Sequence, residues 1–310
     1  MLGAALARRA TTGCRQLSLL SSAADGPAGA YLDASWHMPG SGRDARAEFT
    51  ACRIPGATFF DIDEISDTTN PLPHMLPNAG QMDDALDSAG VVDDETEITV
   101  YDNAGMLSSS RAWYTLTALG VANPVRILDG GLALWRALGR PVESGDASVP
   151  GRPSVGKRSP CRLRRELVRT LDDMKANLVT REAQVVDARP AARFLGQLKE
   201  PRPGLCSGHI PGSLNVPWTT ILDSSNGAAV FKPAEGIAKT FEDAGVRLDG
   251  DRGIILTCGS GVTASVLMAG LVVAGVELER LSLYDGSWSE WGDPTLRLPI
   301  IDPCGNGFCS

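Results

Sequence analysis

The chain has little histidine, few aromatics and no excess of positive charge, and each shortage closes a class of function. Three histidines are scattered over 310 residues, and the seven cysteines form no C-x-x-C pair. No metal-ligand cluster is visible in such spacing, and no dinucleotide fingerprint is present, so no cofactor is expected. Lys and Arg total 29 against 37 acids, a formal charge of −8, which argues against a nucleic-acid surface. The longest apolar stretch, Ala264 to Val276, falls well short of the roughly 20 residues of a membrane span. Dispersed, odd-numbered cysteines in a chain of this length argue for a reducing compartment rather than a disulfide scaffold.

Acids are also missing from residues 1–24, whose only charges are Arg8, Arg9 and Arg15 among alanines, leucines, serines and threonines. That pattern is expected of an organellar transit peptide, with mitochondria as the first destination and the cytoplasm or another organelle as the alternative. The segment has no apolar core of the kind that directs secretion.

What is present begins with Cys258-Gly259-Ser260-Gly261-Val262-Thr263-Ala264, which follows Ile254-Ile255-Leu256 and leads into an apolar helical stretch. A strand thus delivers a cysteine into a glycine loop that opens a helix. Two glycines let successive N–H groups curl inward, and the helix adds its positive end. Such a cradle favours an anion, here the Cys258 thiolate.

The chain is also an internal duplication. Ile54-Pro55-Gly56 recurs as Ile210-Pro211-Gly212, and Asp129-Gly130-Gly131 with Trp135 recurs as Asp285-Gly286-Ser287 with Trp291, both at a shift of 156 (54 to 210, 129 to 285). Asp33-Ala34-Ser35 matches Asp187-Ala188-Arg189 at 154 (33 to 187). A period this long denotes a repeated domain, because solenoid repeats run at about 20–50 residues. Each copy alternates β-branched runs (Ile98-Thr99-Val100, Gln184-Val185-Val186) with helical stretches (Ser110 to Leu119, Thr263 to Val273). The expected fold is α/β, two tandem domains, each a parallel sheet with helices on both faces. The expected boundaries are 1–24 for the targeting segment, 25–148 for the first domain, 149–165 for a linker and 166–310 for the second. The linker's Lys157, Arg158, Arg162, Arg164 and Arg165 read as a solvated or acid-paired surface. Applying the shift of 156 to Cys258 lands on Asp102, so the first copy lacks a nucleophile and reads as a degenerate support.

The Cys258 loop resembles the active-site loop of the rhodanese superfamily, in the form carried by its 3-mercaptopyruvate-using branch. Thiosulfate-using members carry Arg-Lys after the cysteine, where this chain has Gly259-Ser260. The related phosphatases need Cys, five residues and Arg, and position 264 is alanine. The resemblance implies substrate-binding roles for Arg193 and Arg202, nine apart here as in the family, and for the loop residues Gly259, Gly261, Val262 and Thr263. It also implies a Ser–His–Asp relay that maps onto Ser260, His74 and Asp63, the last two contributed by the first copy. His209, in Gly208-His209-Ile210-Pro211-Gly212, is read as a brace for its loop, and its first-copy counterpart is Arg53.

The implied activity is sulfur transfer from 3-mercaptopyruvate through a Cys258 persulfide to a thiol acceptor such as thioredoxin or a small dithiol, or to cyanide, with release of pyruvate. A thiosulfate sulfurtransferase and a non-catalytic persulfide carrier are the alternatives. Cys304 and Cys309 read as idle tail thiols, a redox disulfide between them being the alternative.

Overall fold

The computed structural model describes residues 19–22, 29–38, 40–147 and 158–302. The first sheet contains β1 (Leu20–Ser21), β2 (Ala30–Asp33), β3 (Thr58–Phe59), β4 (Ile98–Tyr101) and β5 (Val125–Leu128), in the order β1-β5-β4-β2-β3. The second contains β6 (Val168–Arg169), β7 (Ala183–Asp187), β8 (Leu214–Asn215), β11 (Gly253–Thr257) and β12 (Leu281–Tyr284), in the order β6-β12-β11-β7-β8. A short antiparallel hairpin, β9 (Leu222–Asp223) with β10 (Val230–Phe231), stands beside it. Every pairing within the two large sheets is parallel, and the strand orders coincide element for element. The duplication seen in the motifs is therefore a duplication of topology.

Helices α1 (Ala45–Ala51), α2 (Ala79–Ser88), α3 (Leu107–Ala118) and α4 (Gly131–Ala137) belong to the first copy. Helices α5 (Leu171–Thr180), α6 (Ala191–Phe194), α7 (Ala234–Asp243), α8 (Val262–Val273) and α9 (Ser287–Trp291) belong to the second. Two groups differ in how they start. Helix α2 opens on an Asn78–Gln81 capping box and α5 on a Thr170–Asp173 box, so their first N–H groups are satisfied by side chains. Helices α3 and α8 have no side-chain cap and begin instead at left-handed residues, Met106 (φ 71°) and Gly261 (φ 81°). Their amino ends are left for another occupant.

Helix α8 is apolar all round, and Val262, Ala264, Val266, Leu267, Met268, Ala269 and Leu271 are buried. A helix with no polar stripe needs cover on every side, and α3 of the first copy supplies one side by packing against it. One continuous core therefore runs from Leu32, Val100 and Leu116 through Leu267 to Leu256 and Val186. Gly270 is required in this packing, since a Cβ there would lie 2.5 Å from Ile221 Cδ1.

Strand β1 lies inside the 1–24 segment whose composition suggests targeting, so removal of all 24 residues would strip an edge strand from the first sheet. The basic stretch at the second copy's start is acid-paired: Arg158 binds Asp83 (2.6 Å) and Asp87 (2.9 Å), Arg164 binds Glu166 (3.0 Å) and Arg165 binds Asp173 (2.7 Å). Cys52, Cys161 and Cys258 are free, whereas Cys206 is disulfide-bonded, which departs from the expectation of thiols alone. Cys304 and Cys309 lie outside the described residues. No helix among the described residues is long and apolar enough to cross a membrane.

Candidate active site

Strand β11 ends at Thr257 and places Cys258, 2% exposed, at the carboxyl edge of the second sheet. The carbonyls of the loop are held by the segment around α9. Cys258 O accepts from Trp288 N–H (3.0 Å), and Gly259 O accepts from both Ser289 N–H (2.9 Å) and Ser289 Oγ–H (2.7 Å). The Cys258 N–H contacts Ser287 Oγ at 3.4 Å.

The first copy shows the corresponding loop occupied. There Asp102 takes the cysteine's place, and its carboxylate accepts from Ala104 (2.9 Å), Met106 (3.0 Å), Ser108 (3.0 Å) and Ser109 (2.8 Å) backbone N–H groups. This strand–loop–helix architecture is a nest for a negative charge. In the first copy the chain's own carboxylate fills it.

Two guanidiniums cover the Cys258 loop. A Cβ added at Gly259 would stand 3.3 Å from Arg193 Nη2 and 3.7 Å from Arg202 Nη1, and Arg202 Nη2 lies 3.4 Å from Ser260 Oγ. Arg193 is held by an ion pair with buried Glu200, which also binds Arg189 (2.8 Å). Arg189 in turn clasps Asp187 at the end of β7 (2.6 Å) and lies over the Trp288 ring at 4.1 Å. This chain of alternating charges anchors Arg193 to the sheet. Arg202 carries no such carboxylate clasp, and burial pulls its proton affinity below the ordinary arginine value.

His74 enters from the first copy. Its ring is buried, its Nδ1 lies 2.9 Å from Ser260 Oγ, and its Nε2 lies 2.9 Å from Asp63 Oδ1. A carboxylate only accepts, so Nε2 is the donor to Asp63, and in the neutral imidazole this leaves the Nδ1 lone pair to accept the Ser260 hydroxyl. Trp36 fixes the assembly: its Nε1–H donates to Asp63 Oδ2 (2.8 Å) and its ring meets His74 edge-on at 5.0 Å. The hydrogen bond from His74, with help from Trp36, holds the Asp63 carboxyl below its usual range against the opposing effect of burial.

The residues expected from the sequence thus converge: Cys258, Gly259, Ser260, Gly261, Arg193 and Arg202 from the second copy, His74 and Asp63 from the first, with Val262 and Thr263 at the start of α8. His209 is absent from this cluster. It stacks on Phe194 at 3.8 Å and bonds the Phe194 carbonyl (2.8 Å), while Arg53 at the matching position binds Glu143 (2.8 Å). Both brace their loops. Sequence reasoning missed Glu200, Arg189, Trp36, Arg111 and Asp285, although Asp285 sits in a repeated motif that was itself a signal.

A duplicated parallel sheet with a cysteine in an anion nest defines the class. The rhodanese-like domain profile matches residues 42–138 and again 170–293, and the chain belongs to that family. Within it the chain is similar to the 3-mercaptopyruvate sulfurtransferase of Rattus norvegicus, 41% identical over 84% of each chain. It is likewise similar to the Arabidopsis thaliana protein named "Thiosulfate/3-mercaptopyruvate sulfurtransferase 1, mitochondrial", 39% identical over 87% of this chain and 74% of that one. The crystal structure of SseA from Escherichia coli, a 3-mercaptopyruvate sulfotransferase, superposes with a TM-score of 0.74 at 36% identity, covering 88% of this chain and all of the other.

Proposed function

We propose that the protein is a sulfurtransferase that takes sulfur from 3-mercaptopyruvate onto Cys258 and passes it to a thiol. The observation that carries this reading is the pair of guanidiniums facing Gly259 beside the cysteine. A 2-oxo acid offers a carboxylate and a carbonyl oxygen that becomes an enolate oxygen, and two planar cations serve both groups. The Cys258 thiolate attacks the thiol sulfur of the donor. The S–S bond forms as the C–S bond breaks, and the C–S electron pair leaves as the pyruvate enolate, which Arg193 and Arg202 stabilise. The Ser260 hydroxyl gives its proton to the enolate carbon, forming pyruvate, and regains one, by way of the His74 ring that Asp63 orients, from the outer S–H that the persulfide inherits from the donor thiol. The outer sulfur is left as an anion on the N–H groups of Gly259 to Thr263. A thiolate attacks that outer sulfur and restores Cys258. With a dithiol acceptor, the second thiol releases hydrogen sulfide and closes a disulfide.

Mitochondrial targeting by the arginine-rich start is part of the same proposal, in line with the name of the Arabidopsis relative. A fluorescent fusion of residues 1–24 that stays in the cytosol would remove it. For the chemistry, intact-mass measurement after exposure to 3-mercaptopyruvate alone is expected to show one added sulfur on the wild-type chain and none on Cys258→Ser. An unmodified wild-type chain, or a modified Cys258→Ser chain, overturns the assignment.

A further inference from the structure

The relay depends on a histidine in an unfavourable backbone conformation. His74 has φ 59°, a left-handed geometry that costs an L-residue about 1–2 kcal/mol and persists only where the surroundings enforce it. Two contacts enforce it here, and both lead to one buried ion pair. Arg111 of α3 donates from Nη2 to the His74 carbonyl and to Asp285 Oδ1, the latter at 3.1 Å. Asp285 Oδ2 accepts the Leu76 N–H at 2.8 Å. The turn that presents the imidazole is thus gripped on both sides of Met75 by a pair whose side chains are 3% and 6% exposed.

The other end of the guanidinium meets the cysteine loop. Arg111 Nη1 has no hydrogen-bond partner among the described residues, and a Cβ on Gly261 would lie 2.6 Å from it. Arg111 therefore touches the backbone carrying His74, the aspartate that holds Leu76, and the glycine that turns the Cys258 loop.

The repeat supplies an internal control. Asp129, the counterpart of Asp285, also reaches across the interface to a backbone amide, accepting the Phe231 N–H at 3.0 Å. Between the helix starts Leu107 and Val262, however, the shift is 155, and the residue matched to Arg111 is the apolar Val266. An aspartate crossing between the copies is common to both sides. The added cation occurs only on the side that carries the relay.

We propose that Arg111 and Asp285 are positioning residues that hold His74 against Ser260 and so couple the docking of the two copies to proton delivery. This rests on the sulfurtransferase reading above. The groups facing the His74 ring and its partners are Asp63, Trp36, Ser260 and, behind Ser260, Arg202. Arg111 touches only the His74 backbone, so its effect on the ring is through geometry.

The test uses the full chain and the variants Arg111→Met, Asp285→Asn, His74→Ala and the Arg111→Met/His74→Ala double variant. It reads steady-state turnover of 3-mercaptopyruvate and the ring-nitrogen resonances of labelled histidine, of which the chain has three. Arg111→Met and Asp285→Asn are expected to lower kcat by about 10- to 100-fold, the range of a misplaced proton relay, with a smaller change in KM. They are also expected to shift the His74 ring signals while His37 and His209 stay in place. In the His74→Ala background, Arg111→Met should cost less than about twofold, because both act through one group. An unmoved His74 signal in a folded variant, or a full loss on top of His74→Ala, overturns the proposal. Should Arg111→Met fail to fold, Asp285→Asn, which keeps an acceptor for Leu76, and Arg111→Lys, which keeps the cation and should recover most of the rate, decide it by the same readouts. If His74→Ala leaves turnover unchanged, the relay reading fails, and the ring signals still judge the clamp.

Discussion

Asp102 and Cys258 occupy the same place in two copies of one fold, and the contrast between them separates architecture from chemistry. Both sit at the end of the fourth strand of their sheet, before a helix without a side-chain cap. Asp102 supplies a carboxyl group fixed in the chain, and four backbone amides close on it. In the proposed reaction Cys258 supplies an anion that is made and consumed in each turnover. The nest is therefore older in logic than the reaction. The first copy uses it to hold itself together, and the second leaves it open for sulfur.

The largest expected effect comes from erasing the contrast at the catalytic position. Cys258→Asp should give the second copy the first copy's plug: a folded protein whose kcat/KM falls by at least about four orders of magnitude, as for loss of a covalent nucleophile. A stopped assay with 3-mercaptopyruvate and a thermal melt check both halves of this expectation, and residual turnover above that level would remove Cys258 as the nucleophile. Next is Arg193→Ala, expected to cost about 10²- to 10³-fold in kcat/KM, the range for one donor to a developing oxyanion. The loss should be shared between a higher KM and a lower kcat, because the same contact serves the bound carboxylate and the enolate. Unchanged kinetics would take Arg193 out of the site.

Donor choice is a finer test. Arg and Lys installed at Gly259 and Ser260 should move the ratio of thiosulfate to 3-mercaptopyruvate efficiency by about tenfold or more. New cations favour a dianion, and the added Cβ, 3.3 Å from Arg193 Nη2, crowds the oxo-acid site. A native enzyme that already prefers thiosulfate would reverse the assignment of donor.

Asp102→Ala should leave the chemistry alone but strand four backbone amides, those of Met106, Ser108 and Ser109 buried, costing about 3 kcal/mol in a denaturant melt if the gap stays dry. A change below about 0.5 kcal/mol would mean that the carboxylate is ornamental. The smallest effect is a pH slope. Asp33 and Asp187 end matching strands, but Asp187 has the cation Arg189 where Asp33 has neutral donors, Ser35 N–H (2.9 Å) and Tyr101, and burial raises the Asp33 carboxyl to about 6 from 3.8. Between those values the folded chain holds a proton that the unfolded chain has released, so stability falls as pH rises through the window, by up to about 3 kcal/mol. In Asp33→Asn the slope over pH 4–6 should flatten, and an unchanged slope would place its origin elsewhere.

The comparison also explains what was legible in the sequence. The two sheets could be read because their signals are local: β-branched strands, glycine turns and motifs recurring at a fixed interval. The cysteine, its glycines and the two arginines could be read because a loop carries its chemistry in consecutive residues or fixed spacing. Glu200 could not be singled out from among other surface-type acids, since its role arises only once Arg189 and Arg193 close on it. Arg111 and Asp285 stand 174 positions apart, and only the docking of α3 on α8 brings them together. Strand β1 was hidden by composition, two residues of edge strand being indistinguishable from the rest of an arginine-, serine- and leucine-rich segment.

The all-apolar surface of α8 gives the duplication a direction in time. A lone ancestor with that helix would expose its most hydrophobic face to water, whereas a paired one has it sealed by a sister copy. Sealed against its partner, the sister copy carries Asp102 in its nest and places His74 beside Ser260. It is no longer free to leave, because deleting it would expose the core of the survivor and, in the proposed reaction, take away His74 and Asp63, two of the relay's three members. The silent copy has become hereditary: reversion would require restoring solubility and catalysis at once, and no single substitution does both.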